Sequence, residues 1–159
     1  MSKIIGIDLG TTFSAIAQLD DLGNPEVLAS TDTNKKITSS TVYLKEKNVV
    51  VGDKALDGLN ATPKNVVTET KRQMENDVVF STQKGEWIDK EGAEEGCYSP
   101  AQVSSFILGK LKEYTSDIKK VVITVPALFA EKARVATLDA AKMAGIEIIE
   151  LINEPTAAA

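Results

Sequence analysis

Asp8-Leu9-Gly10-Thr11-Thr12 sits where one strand would turn into the next, its Gly10-Thr11-Thr12 flanked by two apolar runs of strand length, residues 4–9 and 14–19. Gly10 lets a backbone turn tightly and come close to a ligand, so the amides of Gly10, Thr11 and Thr12 can converge on an anion. Asp8, at the strand end, could face a metal ion carried on that anion. In physical terms this is a phosphate clamp. An ordinary hairpin, its turn steadied by Asp and Thr side chains, accounts for the same residues. Neither Gly-x-x-x-x-Gly-Lys-Ser/Thr nor Gly-x-Gly-x-x-Gly occurs in the chain.

Whatever chemistry the chain performs, it performs without histidine, of which the sequence has none. Ser-His-Asp triads, histidine acid/base catalysis and His-ligated zinc are excluded together. Carboxylates, lysines, hydroxyls, backbone amides and a hard cation such as magnesium remain. The formal charge of −5 provides no basic field for a phosphate backbone, so nucleic acid is not an expected partner. ATP stays compatible, because magnesium and local amides screen its phosphates. Cys97 is the single cysteine, which rules out an internal disulfide and suits a reducing compartment; an inert, incidental thiol is the plain alternative. After Lys3 only residues 4–7 are apolar before Asp8 interrupts, which is neither a signal peptide nor a membrane span. A cytoplasmic protein without a membrane partner is expected.

The 159 residues, 43% of them hydrophobic, can bury the core of one domain with a small insertion. Residues 4–9 and 14–19 pair as a hairpin, residues 20–25 form a turn cluster, and residues 26–29 supply a third strand. From residue 37 to 117 the texture changes to short strands, at 41–44 and 49–51, with small helical patches. The acidic run Glu91-Gly92-Ala93-Glu94-Glu95-Gly96 reads as a solvated loop. Ser99-Pro100-Ala101-Gln102 starts a helix, with Ser99 as N-cap, Pro100 at the first helical position and Gln102 completing a capping box. Val103, Phe106, Ile107, Leu111 and Tyr114 then fall on one face. Residues 119–125, β-branched and ended by Pro126, fit a strand buried on both faces. Residues 130–144 are helical up to a Gly145 C-cap, and 147–152 return as a strand. The order predicts an α/β architecture: a mixed sheet with flanking helices from residues 1–36 and 118–159, and an α+β subdomain, residues 37–117, inserted between them.

Three segments carry a resemblance: Ile5-Gly6-Ile7-Asp8-Leu9-Gly10-Thr11-Thr12-Phe13-Ser14, Thr70-Lys71-Arg72, and Leu151-Ile152-Asn153-Glu154-Pro155-Thr156-Ala157-Ala158-Ala159. In this order and spacing they resemble the seventy-kilodalton heat-shock chaperones of the DnaK type, across essentially the whole sequence. The first is shared with actin-like proteins and sugar kinases, whereas the Asn-Glu-Pro-Thr-Ala-Ala-Ala ending is specific to the chaperones. The resemblance implies an actin-like, ribonuclease H-like fold, the first lobe of a two-lobed ATPase domain. It implies that Asp8 holds magnesium through water, that Gly10, Thr11 and Thr12 contact the phosphates of ATP or ADP, that Lys71 is the catalytic lysine, and that Glu154 stands beside the metal and the attacking water. Phosphoryl transfer needs mainly positioning and charge stabilisation, which a lysine, a metal and oriented amides supply. Without the resemblance, Lys71 and Arg72 read as a solvated basic pair, the usual fate of such residues, and Glu154 could be a carboxylate complementing a helix dipole.

Pro126 and Arg134 match family positions that relay nucleotide state to a substrate-binding domain. Lys132, Asp139 and Lys142 share a polar helix face while Arg134 points elsewhere, and a snorkelling surface arginine explains it as well. The implied partners are unfolded polypeptide clients, a J-domain co-chaperone and a nucleotide exchange factor. Three positions depart from bacterial relatives: Phe13 stands for Asn, Leu128 for Tyr, and Glu150 for an Arg used toward J-domain partners, which puts ordinary J-protein coupling in doubt. The family's second Gly-rich loop, adenosine pocket, linker and peptide-binding domain would all lie beyond Ala159, so the chain as given is expected to be inactive alone. Two other functions fit parts of the sequence. An actin-like small-molecule kinase shares the first motif but leaves the other two unexplained, and a non-catalytic module could be built on half of the fold.

Overall fold

A computed structural model describes residues 3–45, 48–116 and 118–159. Strands β1 (Lys3–Asp8) and β2 (Phe13–Leu19) form the expected hairpin, and β3 (Pro25–Val27) extends it. The turn before β3 closes because the Asp20 carboxylate accepts the N–H groups of Leu22 and Asn24 at 2.9 and 2.8 Å. Gly23, at φ 84°, supplies the left-handed residue there.

Strand β4 (Thr38–Ser39) pairs with β2. Strands β5 (Val42–Leu44), β6 (Val49–Val51) and β7 (Val66–Val67), with the short helix α1 (Gly58–Ala61), make a small antiparallel sheet in the order β6-β5-β7. A second small sheet, in the order β10-β8-β9, comprises β8 (Val78–Ser81), β9 (Glu86–Asp89) and β10 (Cys97–Tyr98). The acidic run before β10 is exposed throughout, as its composition predicts.

Helix α2 (Pro100–Lys112) begins as its sequence dictates: Ser99 Oγ accepts the Gln102 N–H at 3.2 Å and Gln102 Oε1 accepts the Ser99 N–H at 2.8 Å. Val103, Ile107 and Leu111 are buried on its inner face, with Phe106 and Tyr114 packed at the margin. Strand β11 (Ile118–Val125), helix α3 (Glu131–Met143), strand β12 (Ile148–Asn153) and the short helix α4 (Glu154–Ala157) complete the chain. Helix α3 ends in a Schellman turn, with Ile146 N–H on Ala141 O and Gly145 N–H on Lys142 O, both at 2.9 Å, and Gly145 at φ 66°.

The main sheet runs β12-β11-β1-β2-β3. Strands β1, β11 and β12 are parallel, β2 returns antiparallel, and the register sets Ile7 beside Ile123 and Asp8 beside Thr124. The expectation that β11 is buried on both faces is wrong. Val121, Ile123 and Val125 are buried, but Val122 and Thr124 are half-exposed. Helices α2 and α3 cover one face only; on the other, Ile4, Gly6 and Asp8 of β1 are exposed.

Residues 37–117 are tied to this sheet rather than hung from it. Strand β4 joins β2, α2 packs on α3, and Val42, Leu44, Val67 and Phe80 share one core with Ile5, Ile7, Val121 and Ile123. The expected end of the insert, Asp117, lies outside the described residues. A polar clasp strengthens the same junction. Lys110, on α2, pairs with Glu113 at 2.8 Å and with Asp32 at 3.0 Å. Hydrogen bonding and charge from Lys110 hold the Asp32 carboxyl below its ordinary value. A depressed carboxylate contributes stability that is present above its unfolded value and lost as pH falls through the folded one. Asp32→Asn should therefore lower the melting temperature near neutrality, and the difference from the unaltered chain should begin to shrink only as pH falls below about 4, the ordinary carboxyl range. Thermal unfolding from neutrality to the acid limit of folding measures it; a difference that does not shrink with falling pH would contradict the pairing.

Candidate functional site

The exposed face of the main sheet ends in a cleft of about 640 Å³. Asp8, Gly10, Thr11, Lys71, Thr124 and Glu154 line it, so residues from both ends of the chain and from its middle meet in one place. Thr12 is exposed outside the lining. Strand pairing explains the convergence: β1 places Asp8 at its end, its parallel neighbour β11 places Thr124 alongside, and β12 leads directly into Glu154 at the first position of α4.

Asp8 Oδ1 accepts the Thr124 hydroxyl at 2.8 Å, which fixes the carboxylate while leaving its other oxygen free among the described residues. Gly10 does not work as its amide was expected to. Its N–H turns inward to Ser14 Oγ at 3.2 Å, whereas the N–H of Thr11, which also lines the cleft, has no partner among the described residues. Nor does Gly10 adopt a positive φ; glycine is required because a Cβ there would sit 2.0 Å from the Phe13 carbonyl oxygen. Close approach of backbone to backbone, not turn handedness, demands the residue.

Lys71 belongs to a 3₁₀ turn, Thr70–Gln73, that follows Glu69 in the left-handed conformation at φ 54° and ψ 27°. Such a residue costs roughly 1 kcal/mol or more, and the sharp reversal lets Lys71 and Arg72 diverge. Arg72 is exposed and pairs with Glu69 at 2.8 Å, whereas the Lys71 side chain is only 11% exposed. The Lys71 ammonium donates to Glu154 Oε1 and lies 5.9 Å from the centre of the Phe129 ring. Lys71 is thus not a solvated basic residue. The basic-pair alternative applies to Arg72 alone.

Arg134 reaches away from the polar face of α3. Its Nη2 donates to Asn153 Oδ1 at 2.7 Å and its Nε to the Phe129 carbonyl at 3.3 Å, so it braces the residue preceding Glu154. Lys132 instead pairs with Asp77 at 2.7 Å and Lys142 with Asp139 at 3.6 Å. Pro126 is half-buried at the end of β11, its carbonyl accepting the Phe129 N–H at 3.1 Å. Phe13 and Leu128 are 50% and 95% exposed and neither lines the cleft, and Glu150 is exposed on β12.

Thr124, Ser14, Ser40 and Asn153 were not singled out as site residues from the sequence. Thr124 carried a faint signal, as a hydroxyl near the end of an apolar strand. The serines carried none, because their partners are up to 30 residues away.

The family model described as "Hsp70 protein" matches residues 4–159. A "Chaperone protein DnaK" from Nitrosopumilus maritimus (strain SCM1) is 39% identical over 99% of this chain and 24% of its own length. Another "Chaperone protein DnaK", from Carsonella ruddii (strain PV), is 37% identical over the whole chain and 29% of its own length. The chain thus spans about a quarter of the length of these curated relatives. With the match running from the second residue of β1 to the last residue of the chain, the protein belongs to the Hsp70 family.

Proposed function

We propose that this chain supplies part of the ATP-binding and ATP-hydrolysing domain of a DnaK-type chaperone, in which nucleotide turnover is coupled to binding and release of unfolded polypeptides. The observation that carries the reading is the Lys71–Glu154 pair on a cleft shared with Asp8 and Thr11. In this reading the fold is actin-like, residues 1–36 and 118–159 form the lobe, and residues 37–117 form the insert whose α2 and β4 grip it.

Among the described residues, no group of three or more Asp, Glu or Cys side chains could enclose a metal. A cation here must bring most of its ligands with it. Magnesium fits that requirement, since it keeps several waters and binds through one or two carboxylates plus substrate phosphates. Asp8 and Glu154 are the carboxylates on the cleft that would hold it. When bound, it neutralises charge on the phosphate oxygens.

The chain's own groups divide the remaining work. The Thr11 amide orients a phosphate, and Thr12 extends that contact from the rim. Lys71, neutralised by Glu154 without a ligand, transfers its hydrogen bond to the phosphate oxygens and stabilises charge developing there. Glu154, released from Lys71, is then free to orient the attacking water. In this reading Arg134, which is bonded to Phe129 and Asn153, and Pro126, whose carbonyl accepts the Phe129 N–H, would relay this exchange. Clients, a nucleotide exchange factor and a J-domain protein are the partners proposed, with the carboxylate of Glu150 opposing an acidic J-domain surface. No helix of the described residues is long and apolar enough to cross a membrane, and the lone thiol of Cys97 suits the cytoplasm proposed for the protein.

Calorimetric titration of the 159-residue chain with magnesium-ATP tests the reading. The lining groups face solvent from one side, where screening is strong beyond about 10 Å, so binding should be weaker than micromolar and weaken further with salt. No detectable contact at millimolar nucleotide in a folded chain would remove the reading. Tight binding with phosphate release would show the cleft to be self-sufficient.

A further inference from the structure

Thr38, Ser39, Ser40 and Thr41 are all buried, an unusual run of hydroxyls directly beneath the Gly10 loop. Ser40 makes three contacts with that loop or its base. Its Oγ donates to the Gly10 carbonyl at 2.9 Å, its Oγ lies 2.8 Å from Ser14 Oγ, and its N–H donates to the Thr12 carbonyl at 2.8 Å. The Gly10 N–H in turn donates to Ser14 Oγ.

Proton counting fixes the direction of the whole set. A serine hydroxyl has one hydrogen. That of Ser40 is committed to the Gly10 carbonyl, so in the contact between the two serines Ser14 is the donor. The result is a closed ring running one way: Gly10 N–H to Ser14 Oγ, Ser14 O–H to Ser40 Oγ, Ser40 O–H to Gly10 C=O. Every member donates once and accepts once, the arrangement in which neighbouring hydrogen bonds strengthen one another. Ser14 and Ser40 are 1% and 3% exposed, so water does not compete.

Peptide geometry converts the ring into an orientation. The Gly10–Thr11 peptide is trans, and in a trans peptide C=O and N–H point in opposite directions. With the Gly10 carbonyl drawn inward to Ser40, the Thr11 N–H must point outward, on the side where Gly10 and Thr11 line the cleft. It has no partner among the described residues.

We propose that Ser40 is a positioning residue: through the one-way ring with Ser14 and Gly10 it holds the Thr11 N–H toward the cleft as the phosphate-binding donor. The proposal rests on the phosphate-binding role given to the cleft above. It brings a residue of the 37–117 segment, with no contact to the cleft itself, into the making of the clamp.

The test uses the isotopically labelled 159-residue chain and its Ser40→Ala and Ser14→Ala variants, followed by amide-resolved nuclear magnetic resonance. Without ligand, Ser14→Ala should speed hydrogen exchange at the Gly10 amide by about tenfold, the size expected for loss of one buried hydrogen bond, and Ser40→Ala, which opens the ring that holds Ser14, should speed it in the same direction. With magnesium-ATP at millimolar concentration, the Thr11 amide signal should move in the unaltered chain, and half-saturation in Ser40→Ala should need about tenfold more nucleotide. Combining both substitutions should weaken binding by less than the sum of the single effects, since one ring is broken either way. If Ser40→Ala does not fold, Ser40→Cys, of similar shape but a weaker donor, carries the same comparison. Unchanged Gly10 exchange, equal nucleotide affinity, or additive effects would overturn the positioning role. A Thr11 signal indifferent to nucleotide in the unaltered chain would instead overturn the phosphate-binding reading beneath it.

Discussion

Replacing Lys71 by alanine in a full-length chaperone carrying this segment should lower kcat by about 100- to 1,000-fold, the cost typical of removing one preorganised donor to transition-state charge. ATP affinity should stay within about tenfold, because an interaction made chiefly in the transition state is lost from kcat and kcat/KM together. The pairing with Glu154 sharpens the expectation. In the ligand-free site the ammonium already has a carboxylate partner, so its hydrogen bond to phosphate replaces another and adds little net ground-state affinity. The alanine variant would also leave Glu154 without its cation. Single-turnover hydrolysis separates the outcomes: an unchanged rate excludes Lys71 from the chemistry, while a loss in affinity alone makes it a binding group only.

Gly10→Ala should unfold or re-form the hairpin tip, with a destabilisation of about 3 kcal/mol or more and a melting temperature lower by about 10 °C. The cause is local and geometric. An added Cβ would lie 2.0 Å from the Phe13 carbonyl oxygen and 3.2 Å from its carbon, and these are backbone atoms that cannot swing aside. Moving them, or Gly10 itself, would open the ring in which Ser14 accepts the Gly10 N–H and Ser40 donates to the Gly10 carbonyl. Gly6→Ala is the control, because a Cβ on that neighbouring glycine of β1 meets nothing within 4 Å. Its melting temperature should change by no more than about 2 °C, consistent with a substitution that adds no contact. Thermal unfolding of the two variants decides the matter; equal losses would show that contact geometry at Gly10 is not the determinant.

Much of the fold was legible because its signals are local. The capping box from Ser99 to Gln102, the Gly145 terminus and the Asp20 turn each depend on residues within about five positions of one another, and each forms as its residue types dictate. The β-branched run of β11 likewise fixed its strand. What it could not fix was how many faces would be covered, since an apolar residue such as Val122 has the same sequence signature under a helix as on a sheet face left uncovered.

The site divides along the same line. Sequence alone determined that chemistry here excludes histidine and that residues 8–12 could face an anion; by resemblance it also indicated Lys71 and Glu154. Tertiary structure decided how they meet. Parallel pairing of β1 with β11 and of β11 with β12 brings Asp8, Thr124 and the start of α4 to one end of the sheet, and the left-handed Glu69 precedes the turn that carries Lys71 to the same place. The Gly10 amide, expected to face a ligand, was claimed by Ser14, and Ser40 was drawn in from 30 positions away. Local propensities read off a sequence describe what a segment can donate or accept. Which partner takes the bond depends on the packing that brings distant segments together, and buried serines with one proton each leave only one way to share it.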